Sequence, residues 1–351
     1  MKTAVLLSGG VDSSVALCLL KEQGYDITAY YLKIWLEDEL AFLGNCPWEE
    51  DLEYARGVCK QLGVNLEIIN MQQEYLDTVV EYTINELKAG RTPSPDIMCN
   101  RHIKFGKFIN KTAGAYSKTA SGHYAQIEEM NGKFFLKESP DPVKDQTYFL
   151  TYLSQRQLSE ILFPIGQYSK HEVRKYAEQF NLPTSRRKDS QGICFLGKIK
   201  YNDFIKFHLG ESKGDIVEIE TEKILGNHKG YWFHTIGQRT GLGLSGGPWY
   251  VAKKDIENNI IYVSRNNSTD RVNHDIFKAV NINWIPERPL DNRLMVKLRH
   301  GAVKYSCTLD YFDENSAIVK LDTPDQGISS GQFAIFYKDG YCLGGGVIDI
   351  L

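Results

Sequence analysis

Apolar positions along the chain fall into two regimes. Up to about residue 206, short continuous apolar runs alternate with longer stretches of helical period; beyond it, short alternating runs are cut by Gly and Asn. Thr3 to Leu7 reads as a buried strand, the glycines after it as a turn, and Val15 to Leu20 as a helix ending near Gly24. Ile27 to Trp35 predicts the second strand and Glu37 to Trp48 a loop. Glu49 to Gly63 is a helix with Leu52, Ala55, Cys59 and Leu62 on one side, Asn65 to Asn70 a third strand, and Gln72 to about Ala89 a long helix. Pro93 and Pro95 forbid helix through position 95, so helix is expected to resume after about Arg101. Lys118 to Ala125 is expected to pair with Lys133 to Lys137 through an Asn131-Gly132 turn. Thr147 to about Leu162 reads as helix, Ser169 to Glu172 as a capping box opening another that stops near Pro183, and Tyr201 to Gly210 as a short helix.

The second regime begins with five short strands: 214–219, 223–225, 231–235, 249–253 and 260–263. Six more follow at 277–282, 294–299, 305–311, 317–321, 333–337 and 344–350, enough for a small barrel. The expected architecture is therefore α/β, a doubly wound and mostly parallel sheet over residues 1–206, then a small β-rich module over 207–270 and a C-terminal β-barrel over 271–351.

Composition narrows the class. The 351 residues allow two or three domains, and a formal net charge of -3 gives no global attraction for nucleic acid, so any such partner needs a local basic surface. No apolar stretch is long enough for a membrane span and no targeting pattern opens the chain; a cytoplasmic location without membrane partners is expected. Seven cysteines, none spaced Cys-x-x-Cys, argue against a disulfide scaffold and weaken zinc-ribbon and iron-sulfur readings. Cys18 and Cys59 sit on helical apolar stripes and Cys307 and Cys342 in alternating strands, which reads as packing.

Chemistry concentrates in loops. Ser8-Gly9-Gly10-Val11-Asp12-Ser13-Ser14 lies between a strand and a helix, where glycines admit a phosphate and helix-start amides supply donors. It lacks the lysine of a Walker loop and the three spaced glycines of a dinucleotide fingerprint. The end of the second strand, from Tyr31 to Lys33, lies where an adenine could rest, and Leu32 reads equally as core. In Gly90 to Phe105, Cys99 falls near a helix start beside Arg101 and Lys104, a setting that favours thiolate, with Asp96 close enough to exchange a proton. Read locally, a structural Cys99 fits as well as a reactive one. Gly122 marks a close approach, here of a nucleotide, and His123 beside it reads as a site residue or a satisfied structural histidine. Lys144, Asp145 and Gln146 open a helix and face phosphate or sugar, unless they are an ordinary charged helix start. Around Cys194, the run Arg186-Arg187-Lys188 and flanking glycines make an electropositive, adaptable setting, the better thiol candidate of the two. Ile236 to Gly243 is a glycine-rich loop with no helix after it, read as RNA-facing or spacer. Lys297, Arg299, His300 and Lys304 cluster as a modest basic patch.

Together, the Ser8 loop, Pro-Asp-x-x-Cys-Asn at 95–100, Asp-Ser-Gln-Gly-Ile-Cys-Phe-Leu-Gly at 189–197, Thr-Ile-Gly-Gln-Arg-x-Gly-Leu-Gly at 235–243 and a terminal Gly-Gln barrel closely resemble the bacterial tRNA-specific 2-thiouridylases along nearly the whole chain. The first loop alone resembles that of the N-type ATP pyrophosphatases at large. The resemblance implies an adenine nucleotide hydrolase-like fold and adenylation of a uridine O2 by ATP, with Mg2+ and Asp12 as its possible ligand. It makes Cys194 the persulfide carrier, Cys99 the nucleophile and Asp96 the acid/base. A Cys99-Cys194 disulfide would follow turnover. The implied ATP positions are Leu6, Leu7, Ser8, Gly9, Gly10, Val11, Asp12, Ser13, Leu32 and Gly122; the target-base contacts are Ser94, Pro95 and Asp96. The implied tRNA contacts are His123, Lys144, Asp145, Gln146, Arg299, His300 and Gln332. Two positions depart from the family pattern: Ser94 where Asn is more usual and His300 where Tyr is more usual. Implied partners are tRNA, a persulfide sulfur-donor or relay protein and an external reductant. Two competing readings are an ATP-dependent ligase or amidase acting on a small metabolite, with both cysteines structural, and a non-catalytic tRNA-binding protein.

Overall fold

The computed structural model describes residues 2–34, 48–188, 200–265, 275–325 and 327–350. Strand β1 (Lys2–Leu6), helix α1 (Val11–Glu22), β2 (Asp26–Lys33), α2 (Trp48–Leu62) and β3 (Asn65–Asn70) alternate in chain order. With β4 (Lys118–Ala120) and β7 (Ile161–Leu162) the strands form a five-stranded sheet in the order β3-β2-β1-β4-β7, every neighbour parallel. Both faces of such a sheet are covered, so its central strand is continuously apolar: Ala4 and Val5 are fully buried. Helix α1 is apolar almost all round because it is enclosed, with the sheet below it and α2 and the helix Lys170–Gln179 against its flanks.

After β3 one helical run, α3, passes from Gln72–Tyr75 through a π-helical segment, Leu76–Val80, to Glu81–Lys88. A second run, α4, starts at Pro95–Met98, is π-helical over Cys99–Lys107 and ends with Phe108–Lys111. The helix thus begins about six residues earlier than expected, because Pro95 takes the first helical position, where its missing N–H costs nothing. The expected strand 118–125 divides. Its first half is β4; the chain turns at 121–124, and Ala125 opens a hairpin of β5 (Ala125–Met130) and β6 (Lys133–Glu138) over Asn131 and Gly132, both at positive φ. The expected helix 147–162 divides too. A first turn, α5 (Thr147–Leu150), ends before Ser154, whose capping box with Gln157 starts α6 (Gln155–Ser159) ahead of β7. Helix α7 (Lys170–Gln179) opens on the expected box of Ser169 and Glu172, and α8 is Tyr201–Leu209.

The middle module is a four-stranded sheet, order β10-β11-β8-β9, from β8 (Gly214–Glu218), β9 (Ile224–His228), β10 (Tyr250–Asp255) and β11 (Ile260–Ser264). The expected strand at 231–235 is instead a 3-10 turn, Tyr231–Phe233, set by Gly230 at φ 143. In the C-terminal unit β12 (Ile276–Trp284), β13 (Arg293–Lys297), β14 (Tyr305–Tyr311), β15 (Ala317–Leu321), β16 (Phe333–Lys338) and β17 (Tyr341–Asp349) close into a six-stranded barrel through β12–β17 pairing. The β5–β6 hairpin of the first unit adds to β17, Cys342 pairing with Leu136. One continuous sheet therefore ties the parallel-sheet unit to the barrel and fixes the barrel over the loops that follow β4.

Candidate active site

The loop after β1 folds on its own hydroxyls. Ser8 N donates to Ser13 Oγ at 3.2 Å, and the Ser13 and Ser14 hydroxyls donate to Gly10 O at 3.2 and 2.7 Å. Gly10 caps α1 without any side-chain bond, so the first amides of the helix are left for an anion. Gly9 has φ +75, and a Cβ there would fall 2.1 Å from Asp51 O. Leu6, Leu7 and Val11 turn their side chains into the core, so they reach a ligand through backbone only. Leu32 is half-buried at the end of β2.

Gly122 is needed for a close approach, but what it meets is protein. A Cβ there would lie 2.6 Å from Ser13 N and 2.7 Å from Asp12 C, so the turn after β4 packs on the start of α1. Asp12 accepts from Tyr124 OH at 2.7 Å and from Lys170 Nζ at 2.7 and 3.0 Å, through both its oxygens. Arg187 donates to Gly9 O at 2.7 Å, pairs with Asp51 and lies over the Tyr54 ring. Burial pushes the Asp51 carboxyl up despite that pairing. Tyr124, Lys170, Arg187 and Asp51 were not singled out as site residues from the sequence. Lys170 was visible only as part of a capping box, and Arg187 as part of a cationic run.

As a metal ligand, Asp12 fits poorly. Its carboxylate is already bonded by a phenol and an ammonium, and among the described residues no three His, Cys, Asp or Glu side chains converge on a metal position.

Cys99 is 3% exposed on α4, one turn after the half-buried Asp96, so both lie on one helix face. Ser94, at the helix N-cap, gives no side-chain cap, and its N–H donates to Tyr82 OH at 3.2 Å. The wider π-helical turn leaves carbonyls to satisfy, and Gln157 Nε2 donates to those of Arg101 and Phe105 at 2.9 and 2.8 Å. Asn100 Nδ2 donates to Phe149 O at 3.1 Å while its buried Oδ1 has no protein partner. Phe149 stacks on His300, centroids 4.7 Å apart, and His300 Nε2 lies 3.1 Å from Asp145 O. Thus Asp96, Cys99, Asn100, Asp145 and His300 gather where α4 meets the barrel.

The remaining expected tRNA contacts divide. Lys144 is half-buried at the start of this turn. Gln146 is engaged with Tyr124 on both sides, accepting from Tyr124 N at 3.0 Å and donating its own N–H to Tyr124 O at 2.9 Å. Asp145 turns inward. At 2% exposure its carboxylate accepts from Lys297 Nζ at 2.9 Å, Thr147 Oγ1 at 2.8 Å and Ser139 N at 3.1 Å, which makes it a brace between the two units rather than an outward contact. The basic patch is correspondingly reduced: Lys297 is buried on Asp145, Lys304 pairs with Glu138, and only Arg299 among the ion-paired members keeps half its surface while paired with Asp325. The Gln332 Oε1 is buried without a protein partner. His123 bonds Ser121 Oγ at 2.8 Å between the rings of Phe105 and Phe163; burial first, then the Lys104 charge, pushes its pKa well below 6.5, so it stands neutral. Burial, then Lys297, also holds His300 low. Cys194 and the proposed disulfide lie outside the described residues, as do Cys46 and residues 37–47 of the loop expected at 37–48, whose last residue, Trp48, opens α2 instead.

Three family models match in succession: the tRNA methyl transferase HUP domain over residues 1–198, the tRNA methyl transferase PRC-barrel domain over 202–265 and the aminomethyltransferase beta-barrel domain over 274–348. The chain is 46% identical to the tRNA-specific 2-thiouridylase MnmA of Parabacteroides distasonis, with 99% of each chain covered. It is 45% identical to MnmA 2 of Bacteroides fragilis strain ATCC 25285, covering 99% of this chain and all of that one. Against MnmA of Porphyromonas gingivalis strain ATCC 33277 the identity is 44%, again over 99% of each. A match of this extent, carried along nearly the whole chain, makes the chain a member of the tRNA-specific 2-thiouridylase family.

Proposed function

We propose that this protein is an ATP-dependent tRNA-uridine 2-sulfurtransferase. The observation that carries the reading is the junction of an uncapped phosphate loop with the helix face of half-buried Asp96 and buried Cys99 through one segment, residues 121–124, which packs on Asp12 and Ser13 at one end and on Phe105 of the cysteine helix at the other. A uridine carbonyl oxygen leaves poorly, so O2 first attacks the α-phosphorus of ATP; the bond to the β-phosphate oxygen breaks and pyrophosphate departs. Amides at the start of α1 stabilise the charge it carries away. Mg2+ would arrive on the ATP phosphates rather than in a cage built by this chain.

The terminal sulfur of a Cys194 persulfide then adds at C2, and AMP leaves with the former O2. Attack of the Cys99 thiolate on Cys194 Sγ breaks the sulfur-sulfur bond, leaves sulfur on the base as 2-thiouridine and joins the two cysteines; a thiol reductant supplies two electrons to reset them. Asp96, on the face of Cys99, takes the proton-transfer role. The wobble uridine would be flipped from the anticodon loop, with Arg299 and Lys144 on the backbone. Sulfur donor, reductant and a cytoplasmic location belong to the same proposal; among the described residues no helix is long and apolar enough to cross a membrane.

The test is pyrophosphate release by the purified chain with ATP, with and without tRNA. Release that depends on tRNA is expected. Equal release with a small-molecule amine and no tRNA would favour the ligase reading, and no release at all a binding protein.

A further inference from the structure

The helix start that is to hold pyrophosphate already carries an anion. Asp12 lies in the first turn of α1 and is 32% exposed, so a departing pyrophosphate would meet a carboxylate at the mouth of its own cradle. The Lys170 ammonium answers it. Lys170 is the first residue of α7, its backbone N–H fixed by Asp141 Oδ2 at 3.0 Å, its position set by the Ser169–Glu172 capping box, and its side chain 14% exposed. Its Nζ reaches both Asp12 oxygens and lies 5.9 Å from the Tyr124 ring centroid, whose hydroxyl bonds the same carboxylate. Among the described residues a second cation at the loop, Arg187, is directed at Gly9 O and Asp51.

We propose that Lys170 is a pyrophosphate-binding residue of the ATP site, held by Asp12 and turned onto the β- and γ-phosphates when ATP enters. This rests on the ATP-dependent reading above. A lysine suits the task because its ammonium is a point charge on a flexible stem with three donors, able to keep one bond to Asp12 while donating the others to phosphate oxygens. As the bond between Pα and the bridging oxygen breaks, its electron pair passes to pyrophosphate, and Lys170 stabilises that charge without giving up its proton.

The experiment compares wild type, Lys170→Met, Lys170→Arg and the double variant Asp12→Asn/Lys170→Met by calorimetric titration with pyrophosphate, ATP and AMP, with thermal melts to verify folding. Lys170→Met should weaken pyrophosphate and ATP at least tenfold and leave AMP within twofold; Lys170→Arg should recover part of the loss. The double variant decides between contact and charge neutralisation. If Lys170 touches phosphate, pyrophosphate binding stays weak when Asp12 is also neutral. Restored binding in the double variant, or an equal loss for AMP and pyrophosphate, overturns the proposal and leaves Lys170 a brace for Asp12. Wild type binding neither ATP nor pyrophosphate would overturn the ATP reading itself, an outcome separate from any difference among the variants.

Discussion

Removing the Asp145 carboxylate should cost more in stability than in tRNA affinity. In Asp145→Ala the ammonium of Lys297, itself 2% exposed, loses its partner at 2.9 Å and, among the described residues, keeps Glu138 Oε1 at 3.6 Å and the Tyr337 ring face, centroid 4.8 Å away. Breaking a buried pair from one side costs about 3–5 kcal/mol, because the surviving charge stays desolvated. Glu138 offsets part of this, and loss of the bonds from Ser139 N and Thr147 Oγ1 adds to it, so about 3 kcal/mol is the expected loss. Since the pair joins the turn after the hairpin to the barrel wall, the loss should appear in the urea transition of the full chain monitored by tryptophan fluorescence, Trp284 reporting on the barrel. The double variant Asp145→Ala/Lys297→Met should regain at least half, because no unpaired charge is then buried. A single-variant loss below about 1 kcal/mol together with a large drop in tRNA affinity would refute the brace and restore Asp145 as an outward contact.

Two further expectations follow from single positions. Gly122→Ala puts a methyl carbon 2.6 Å from Ser13 N, a backbone atom that cannot give way cheaply; overpacking of this kind costs about 1–3 kcal/mol, and ATP affinity should fall with the displaced helix start. An unchanged melting temperature and ATP affinity would show that the approach is looser than described. His234, in the middle module, has its pKa lowered from 6.5 to about 4 by burial, then by His228 and Lys254. The unfolded chain therefore binds its proton first, so the contribution to stability is complete above about pH 6.5 and is lost as pH falls toward 4. His234→Gln should make the pH dependence of unfolding shallower in that window, by at most about 1.4 kcal/mol per pH unit; an identical slope would show that His234 is not held neutral.

How far the sequence disclosed this depends on the range of the interaction involved. The strands of the barrel were legible because they are short β-branched and aromatic runs cut by turn residues, α1 because a continuous apolar run follows the glycine turn, and α3 because its apolar residues recur at helical spacing. The π-helical start of Cys99–Lys107 was not, since its carbonyls are satisfied by Gln157, more than fifty residues on. Nor was β7, two residues long and defined only by its pairing with β4. The Ser8 loop and the Asp96–Cys99 pair were visible because their spacing is local. Asp145 was misplaced for the opposite reason: between Lys144 and Gln146 it looks outward, and the lysine that turns it inward is 152 residues away. Lys170 and Asp12, 158 residues apart, were hidden in the same way.

The central claim is that this chain moves sulfur to a tRNA base through Cys99 and Cys194. The most direct measurement is nucleoside mass spectrometry of tRNA after incubation with ATP, a persulfide donor, reductant and either wild type, Cys99→Ser or Cys194→Ser. The account expects 2-thiouridine from wild type alone, with tRNA-dependent pyrophosphate release retained by both variants. Full thiolation by both serine variants, or none by wild type that still releases pyrophosphate on tRNA, would contradict it.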